Sequence, residues 1–209
     1  MFITVEGIDG SGKDTQIERI KKYFSDRNIP TLVTREPGGT EFGDGVRDIL
    51  LSNNTLSNLT QMLLLFADRL EHMKEVIVPE ITKGNVVIIS NRHFDSTFAY
   101  QVRNDIDANI FQVMTSLISG EFVPDLTLYI DIKPETSILR MKDRKLDSIE
   151  TRGLGYLTQT RLNYLKIHAN RFKFLPDRKF IKVNGENSEE EVWKEIKLTL
   201  DRLTDGEVR

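Results

Sequence analysis

Residues 2–15 read Phe2-Ile3-Thr4-Val5-Glu6-Gly7-Ile8-Asp9-Gly10-Ser11-Gly12-Lys13-Asp14-Thr15. Phe2–Glu6 is apolar enough for a buried strand. Gly7, four intervening residues and Gly12-Lys13 then fit the phosphate-binding P-loop pattern up to its last position. The spacing has a physical reason. Glycines let the backbone curl so that successive N–H groups point inward at phosphate oxygens, and the following helix aims the positive end of its dipole there. Lys13 reaches the β- and γ-phosphates as a point charge. A glycine-rich turn with a solvated lysine would spell the same letters, but its place directly after a buried strand is the context the motif requires. The pattern asks for Ser or Thr after the lysine, to set a hydroxyl on Mg²⁺. Here Asp14 stands in that position, followed by Thr15. A carboxylate in a first helical turn suits the dipole, yet beside phosphates it needs a cation or donor to neutralise it.

Outward from this loop, nearly continuous Val/Ile/Leu runs recur at Thr31–Arg35, 86–90, Leu126–Asp131 and 180–183. Continuous rather than alternating hydrophobicity suits parallel strands buried on both faces. Helical patterns fall between them, at about 14–27, 41–51, 57–82, 94–118 (with a break), 134–144, 155–174 and 188–204. Strands alternating with helices predict an α/β fold: three layers of the P-loop NTPase type, about five parallel strands with helices on both faces, in a single domain over 1–209.

Composition narrows the function. The 209 residues carry 29 Lys+Arg and 32 Asp+Glu, a net charge of −3. No global basic field exists for duplex nucleic acid or an anionic membrane. With no cysteine, disulfides, thiol nucleophiles and thiolate metal sites are excluded. Three scattered histidines (His72, His93, His168) argue against a His-based zinc site. The first strand leaves no room for a signal peptide, and no apolar run approaches the length of a membrane span. A cytoplasmic location is the expectation.

Further motifs fall at the carboxyl ends of the second and third strands, where α/β ligand crevices open, and on the helix that follows Ser57. They are Thr34-Arg35-Glu36-Pro37-Gly38-Gly39-Thr40, Leu65-Phe66-Ala67-Asp68-Arg69, and Asn91-Arg92-His93-Phe94-Asp95-Ser96-Thr97-Phe98-Ala99-Tyr100-Gln101. Arg92 at a strand end can grip phosphate with its fork. The strings FITVEGIDGSGK, TREPGGT, LLLFADRLEH, RHFDSTFAYQ, PDLTLYIDI and LDSIE, in this order over nearly the whole chain, resemble the thymidylate kinase family.

That resemblance implies transfer of the ATP γ-phosphoryl to dTMP, with Mg²⁺ as cofactor and a homodimer packed through helices. It implies that residues 7–15 (Gly7, Ile8, Asp9, Gly10, Ser11, Gly12, Lys13, Asp14 and Thr15) bind ATP. Asp9 would accept the sugar 3′-OH, Arg69 contact the thymine carbonyl, and Thr97 and Gln101 lie near the base edge. Tyr100 would sit against C2′ and favour deoxyribose. Arg92 would hold the acceptor phosphate with Arg35 second, while Pro37, Leu65, Phe66 and Ser96 complete the acceptor site. The basic stretch of about 140–155 resembles the family's short lid: Arg140 would stack on adenine, and Lys142 and Arg144 would close on the phosphates. Gly10 stands where some members carry arginine, which makes Arg144 of the lid the expected catalytic arginine beside Lys13, Arg92 and Asp9.

Three positions depart from the family. The phenylalanine expected four residues before Arg69 is Leu65, with Phe66 one step on, about 100° around a helix. The lid's Asp-Arg is Asp147-Ser148, and the strand-end Asp-Arg is Asn91-Arg92. Asp14 and Asn91 together suggest a metal site whose carboxylate has moved from the strand to the loop, which hard cations accept. Two alternatives follow from these departures: a kinase for another deoxynucleoside monophosphate, and a nucleotide-binding homologue impaired in catalysis.

Overall fold

The computed structural model describes residues 1–52, 55–118, 123–142, 152–170, 173–175 and 178–204. Five strands, β1 (Phe2–Glu6), β2 (Thr31–Arg35), β3 (Val87–Asn91), β4 (Leu126–Asp131) and β5 (Lys179–Asn184), form one sheet in the order β2-β3-β1-β4-β5. Every pairing is parallel. β3 and β5 run slightly beyond their expected bounds because Asn91 still pairs with Val5 and Arg35, and β5 matches β4 along its whole length.

The helices cover both faces. On one side α1 (Lys13–Ser25) and α9 (Glu189–Thr204) seal a core of Ile17, Ile20, Phe24, Val192, Ile196 and Leu200 over Ile3, Val5, Ile89 and Leu128. On the other, α3 (Asn58–His72), α5 (Phe94–Gln101), α6 (Asp105–Ile118) and α8 (Gly153–His168) pack Met62, Phe66, Phe94, Phe98, Phe111 and Tyr164 against Tyr129. α2 (Glu41–Ser52) lies against α3 through Val46, Leu50 and Leu65. This is the three-layer arrangement that the buried strands predict.

Two helical expectations are refined. The pattern over 57–82 is not one α-helix: after His72 the chain forms a π-helical turn, Met73–Ile77, and then α4 (Val78–Lys83). Pro79 explains this, since it has no N–H for the carbonyl one turn back and cannot continue a regular ladder. The break in 94–118 falls at residues 102–104, where the Asp107 carboxylate accepts from Arg103 N at 2.9 Å and Asn104 Oδ1 accepts from Asp107 N at 2.9 Å. α7 (Pro134–Met141) ends before the expected 144, and α8 stops at His168 rather than 174.

From β1 the chain first builds β2 and β3 on one side of the sheet, then crosses to β4 and β5 on the other. The crevice of such a sheet lies at the carboxyl ends of the strands around this switch. Gly7, Arg92 and Glu36 follow β1, β3 and β2 there.

Candidate active site

The loop after β1 is shaped by its neighbours. At Gly7 (φ +148) a Cβ would lie 2.6 Å from the Ile130 carbonyl oxygen and 2.7 Å from Ser11 Oγ. At Gly10 (φ +73) it would press on the Ser137 carbonyl at 3.0 Å and Met141 Cγ at 3.2 Å, so any side chain here starts against α7. Ser137 Oγ also donates to the Asp9 carbonyl at 2.6 Å, fastening loop to α7. Gly12 precedes α1 with no side-chain cap, so first-turn N–H groups remain for an anion. Lys13 is buried and donates from Nζ to the Gly7 and Ile8 carbonyls at 3.0 Å each. Burial, together with the nearby Arg92 charge, pushes its pKa down to about 8.

Arg92 is the hub of a hydrogen-bond cluster at the strand ends. Its backbone is left-handed (φ +76), a conformation that costs a non-glycine residue about 1–3 kcal/mol and that the surroundings must enforce. Nη1 donates to the Gly7 carbonyl at 3.0 Å and Ser96 Oγ at 2.9 Å; Nη2 donates to Asp9 and to Tyr100 OH at 3.1 Å. Tyr100 OH donates in turn to Asp9 Oδ2 at 2.9 Å. Burial alone would raise the Asp9 carboxyl, but the Arg92 and Lys13 charges outweigh it and hold it at about 2. Beneath them Glu6 is buried, accepting from His93 N at 2.7 Å and Tyr164 OH at 2.9 Å. Burial, reinforced by the Asp95 charge, lifts its pKa to about 7.

From Arg92 a pocket runs between α2, α3 and α5. Its walls include Asp9, Pro37, Leu65, Arg69, Arg92, Ser96, Thr97, Tyr100 and Gln101, all expected from the sequence, and also Glu36, Arg47, Leu50, Leu51 and His93, which are not. At its inner end Arg69 Nε donates to Glu36 Oε2 at 2.8 Å and Nη2 to Thr97 Oγ1 at 2.9 Å. Its Nη1 is buried without a partner among the described residues, and so is Gln101 Oε1. His72 and His93 each set Nδ1 2.9 Å from Glu36 Oε1. Burial would raise the Glu36 carboxyl, but Arg69 and His93 hold it well below the usual carboxylate range. The one sequence signal for Glu36 is a carboxylate inside the 34–40 motif, immediately before Pro37.

Other expected residues fall elsewhere. Phe66 is fully buried, 5.5 Å from Phe111 and 6.1 Å from Phe94 between ring centroids, and it belongs to the core rather than the pocket wall. Ile8 is core as well, and Thr15 faces solvent. Arg35 pairs with Asp44 at 3.0 Å and lines a separate open groove with Asp14, Glu18, Glu41 and Asn91. In that groove Asn91 Nδ2 donates to Asp14 Oδ1 at 2.7 Å, while Asn91 Oδ1 is buried with no partner among the described residues. Arg140 donates to the Gly10 carbonyl at 3.4 Å and the Gly185 carbonyl at 3.0 Å. Lys142 is exposed just beyond α7. Arg144, Asp147 and Ser148 lie outside the described residues.

The site thus joins the glycine-rich loop after β1 to a pocket lined by Arg69 and Arg92, and comparison with known proteins identifies the family. The family model described as thymidylate kinase matches residues 5–196. The thymidylate kinase of Carboxydothermus hydrogenoformans is 38% identical over 205 residues, covering 97% of each chain. That of Chlorobium limicola is 39% identical over 188 residues, covering 84% of this chain and 85% of its own. The crystal structure of thymidylate kinase from Ehrlichia chaffeensis superposes with a TM-score of 0.73 at 29% identity, over 96% of this chain and 98% of that one. Sequence, loop geometry and relatives converge over the full sheet and both layers of helices, and the chain belongs to the thymidylate kinase family.

Proposed function

We propose that this chain transfers the γ-phosphoryl of ATP to dTMP, with the donor on the loop 7–15 and the acceptor in the pocket between α2, α3 and α5. One observation carries the acceptor assignment: the pocket's inner end holds an unpaired donor, Arg69 Nη1, and an unpaired acceptor, Gln101 Oε1. Buried polar atoms without partners are costly, and thymine offers what both lack, a carbonyl and an N3–H. Leu50, Leu51 and Leu65 supply an apolar wall for the ring and its methyl group. Family membership does not favour the alternatives of another acceptor or a lost catalytic site.

The reaction asks for alignment and charge more than for covalent chemistry. An oxygen of the dTMP phosphate attacks the γ-phosphorus in line, the bond to the ADP oxygen breaks, and the attacking oxygen is already ionised, so no general base is needed. Arg92, oriented by Gly7, Ser96, Asp9 and Tyr100, holds the acceptor phosphate, whose oxygens replace some of these partners on the guanidinium. Lys13 and the loop N–H groups take the donor phosphates, whose charge restores the lysine pKa that burial lowers. Asp9 accepts the sugar 3′-OH, Tyr100 packs at C2′, and Ser96, Thr97 and Pro37 complete the wall. Arg144 from the lid adds the catalytic cation, Arg140 and Lys142 flank the adenine and phosphates, and closure keeps water from the γ-phosphoryl.

Mg²⁺ suits this donor set once the Asn91 amide turns: Asn91 Nδ2 now donates to Asp14 Oδ1, and reversing the amide would bring Oδ1, which has no partner among the described residues, beside the Asp14 carboxylate. When bound, the ion neutralises phosphate charge, with Asp14 and Asn91 holding it. A homodimer is the assembly, built on an apolar face of two neighbouring helices: Leu59, Leu63 and Leu70 on α3 with Ile106, Val113 and Leu117 on α6 are all substantially exposed. No helix among the described residues is long and apolar enough to cross a membrane, and we assign the enzyme to the cytoplasm, without nucleic-acid or membrane partners.

The test is coupled ADP release with ATP–Mg²⁺ against dTMP, dUMP, dCMP, dGMP and dAMP. dTMP is expected to lead. dUMP, which lacks only the methyl, should fall behind by roughly 10–200-fold in kcat/KM. A lead for dCMP or a purine nucleotide overturns the acceptor assignment.

A further inference from the structure

The buried end of the acceptor pocket is held by two rungs between helices. On α3, Gln61, Leu65 and Arg69 stand four residues apart; on α5, Thr97 and Gln101 do the same, so each set shares a face. Arg69 Nη2 donates to Thr97 Oγ1 at 2.9 Å, and Gln101 Nε2 donates to Gln61 Oε1 at 3.3 Å. Leu65 lies between the rungs and lines the pocket. Gln61 does not line it, and is 1% exposed.

The second rung has a direction, and a backbone carbonyl sets it. Gln61 Nε2 donates to the Leu56 carbonyl at 2.7 Å. A carbonyl can only accept, so Gln61 must turn its NH₂ toward Leu56 and its oxygen toward Gln101. Gln101 lines the pocket and must answer with its own NH₂, which leaves its Oε1 buried and without a partner among the described residues. Without Gln61 the Gln101 amide could present either end, since its two ends have nearly the same shape.

We infer that Gln61 is a positioning residue for acceptor specificity: the relay Leu56 carbonyl–Gln61–Gln101 fixes Gln101 as an acceptor and so sets the preference for a thymine or uracil edge over a cytosine edge. This rests on the assignment of the pocket to the acceptor base. Thymine and uracil present N3–H, which Gln101 Oε1 accepts. Cytosine presents an N3 lone pair there, and two lone pairs meet. A buried polar group left facing the wrong partner discriminates far more strongly than apolar fit does.

The test measures kcat and KM for dTMP, dUMP and dCMP in Gln61→Met, Gln61→Glu and Gln101→Met. Ratios between acceptors do not depend on the fraction of enzyme that is folded. In Gln61→Met the KM for dTMP and dUMP should rise roughly tenfold, the value of one hydrogen bond, and the dTMP:dCMP ratio of kcat/KM should fall by about as much. The dTMP:dUMP ratio should hold, because the methyl group does not face this rung. Gln61→Glu keeps an acceptor toward Gln101 and should restore the dTMP:dCMP ratio. A Gln61→Met enzyme that loses all three acceptors by one common factor, or a Gln61→Glu enzyme that fails to restore the ratio, overturns the relay. If Gln101→Met raises KM for dTMP and Gln61→Met does not, the relay alone fails. If Gln101→Met leaves KM unchanged, the pocket assignment fails and takes the relay with it.

Discussion

Asp14 and Asn91 illustrate how much a single contact decides. The two side chains meet at 2.7 Å, so substitutions at the two positions cannot act independently. Asp14→Thr alone removes the only carboxylate of the pair, and Asn91→Asp alone sets two carboxylates against each other. Each single change should raise the Mg²⁺ concentration for half-maximal turnover by roughly 10–100-fold. The double change restores one hydroxyl and one carboxylate and should recover most of the loss. Additive losses in a Mg²⁺ titration of all four enzymes would sink the paired-ligand reading. The sequence shows that both positions are unusual, but not that they touch: they are 77 residues apart, and only the pairing of β1 with β3 brings the loop and the strand end together. Glu36 is harder still to read. Nothing local says that a carboxylate beside Pro37 will be buried among Arg69, His72 and His93.

At the scale of elements, α3 separates two roles one residue apart. Leu65 faces the pocket and Phe66 the core, as the 100° step between them requires. Phe66→Ala should therefore cost about 3–5 kcal/mol of stability, measured by denaturant unfolding, while its KM for dTMP at low temperature changes less than that of Leu65→Ala. A larger KM effect from Phe66→Ala would place its ring against the base after all. Helix existence is legible here because apolar residues recur every three to four positions. The π-helical turn is not, because the pattern continues unbroken across Pro79 while the hydrogen-bond ladder does not.

For the whole molecule, strand number and parallel direction are readable from continuous apolar runs. Strand order is not, since it depends on which helices cross which face. The same layering leaves α3 and α6 side by side with Leu63, Ile106, Val113 and Leu117 exposed. Apolar surface of this kind on two adjacent helices is what an obligate interface covers. Sedimentation of the wild-type chain should give a dimer, and Leu63→Glu with Leu117→Glu should shift it to a monomer. A wild-type monomer, or a dimer indifferent to both charges, would move the interface elsewhere.

Arg92 carries a consequence for the entropy of catalysis. Four hydrogen bonds from the loop, from α5 and from Asp9 hold its guanidinium, and its backbone sits in a left-handed conformation that only the folded chain enforces. An arginine that is free in solution gives up about 0.5–1.5 kcal/mol of rotamer freedom when a ligand immobilises it. Here that ordering belongs to folding: a phosphate bound at Arg92 would take over contacts that the loop, α5 and Asp9 already hold in place.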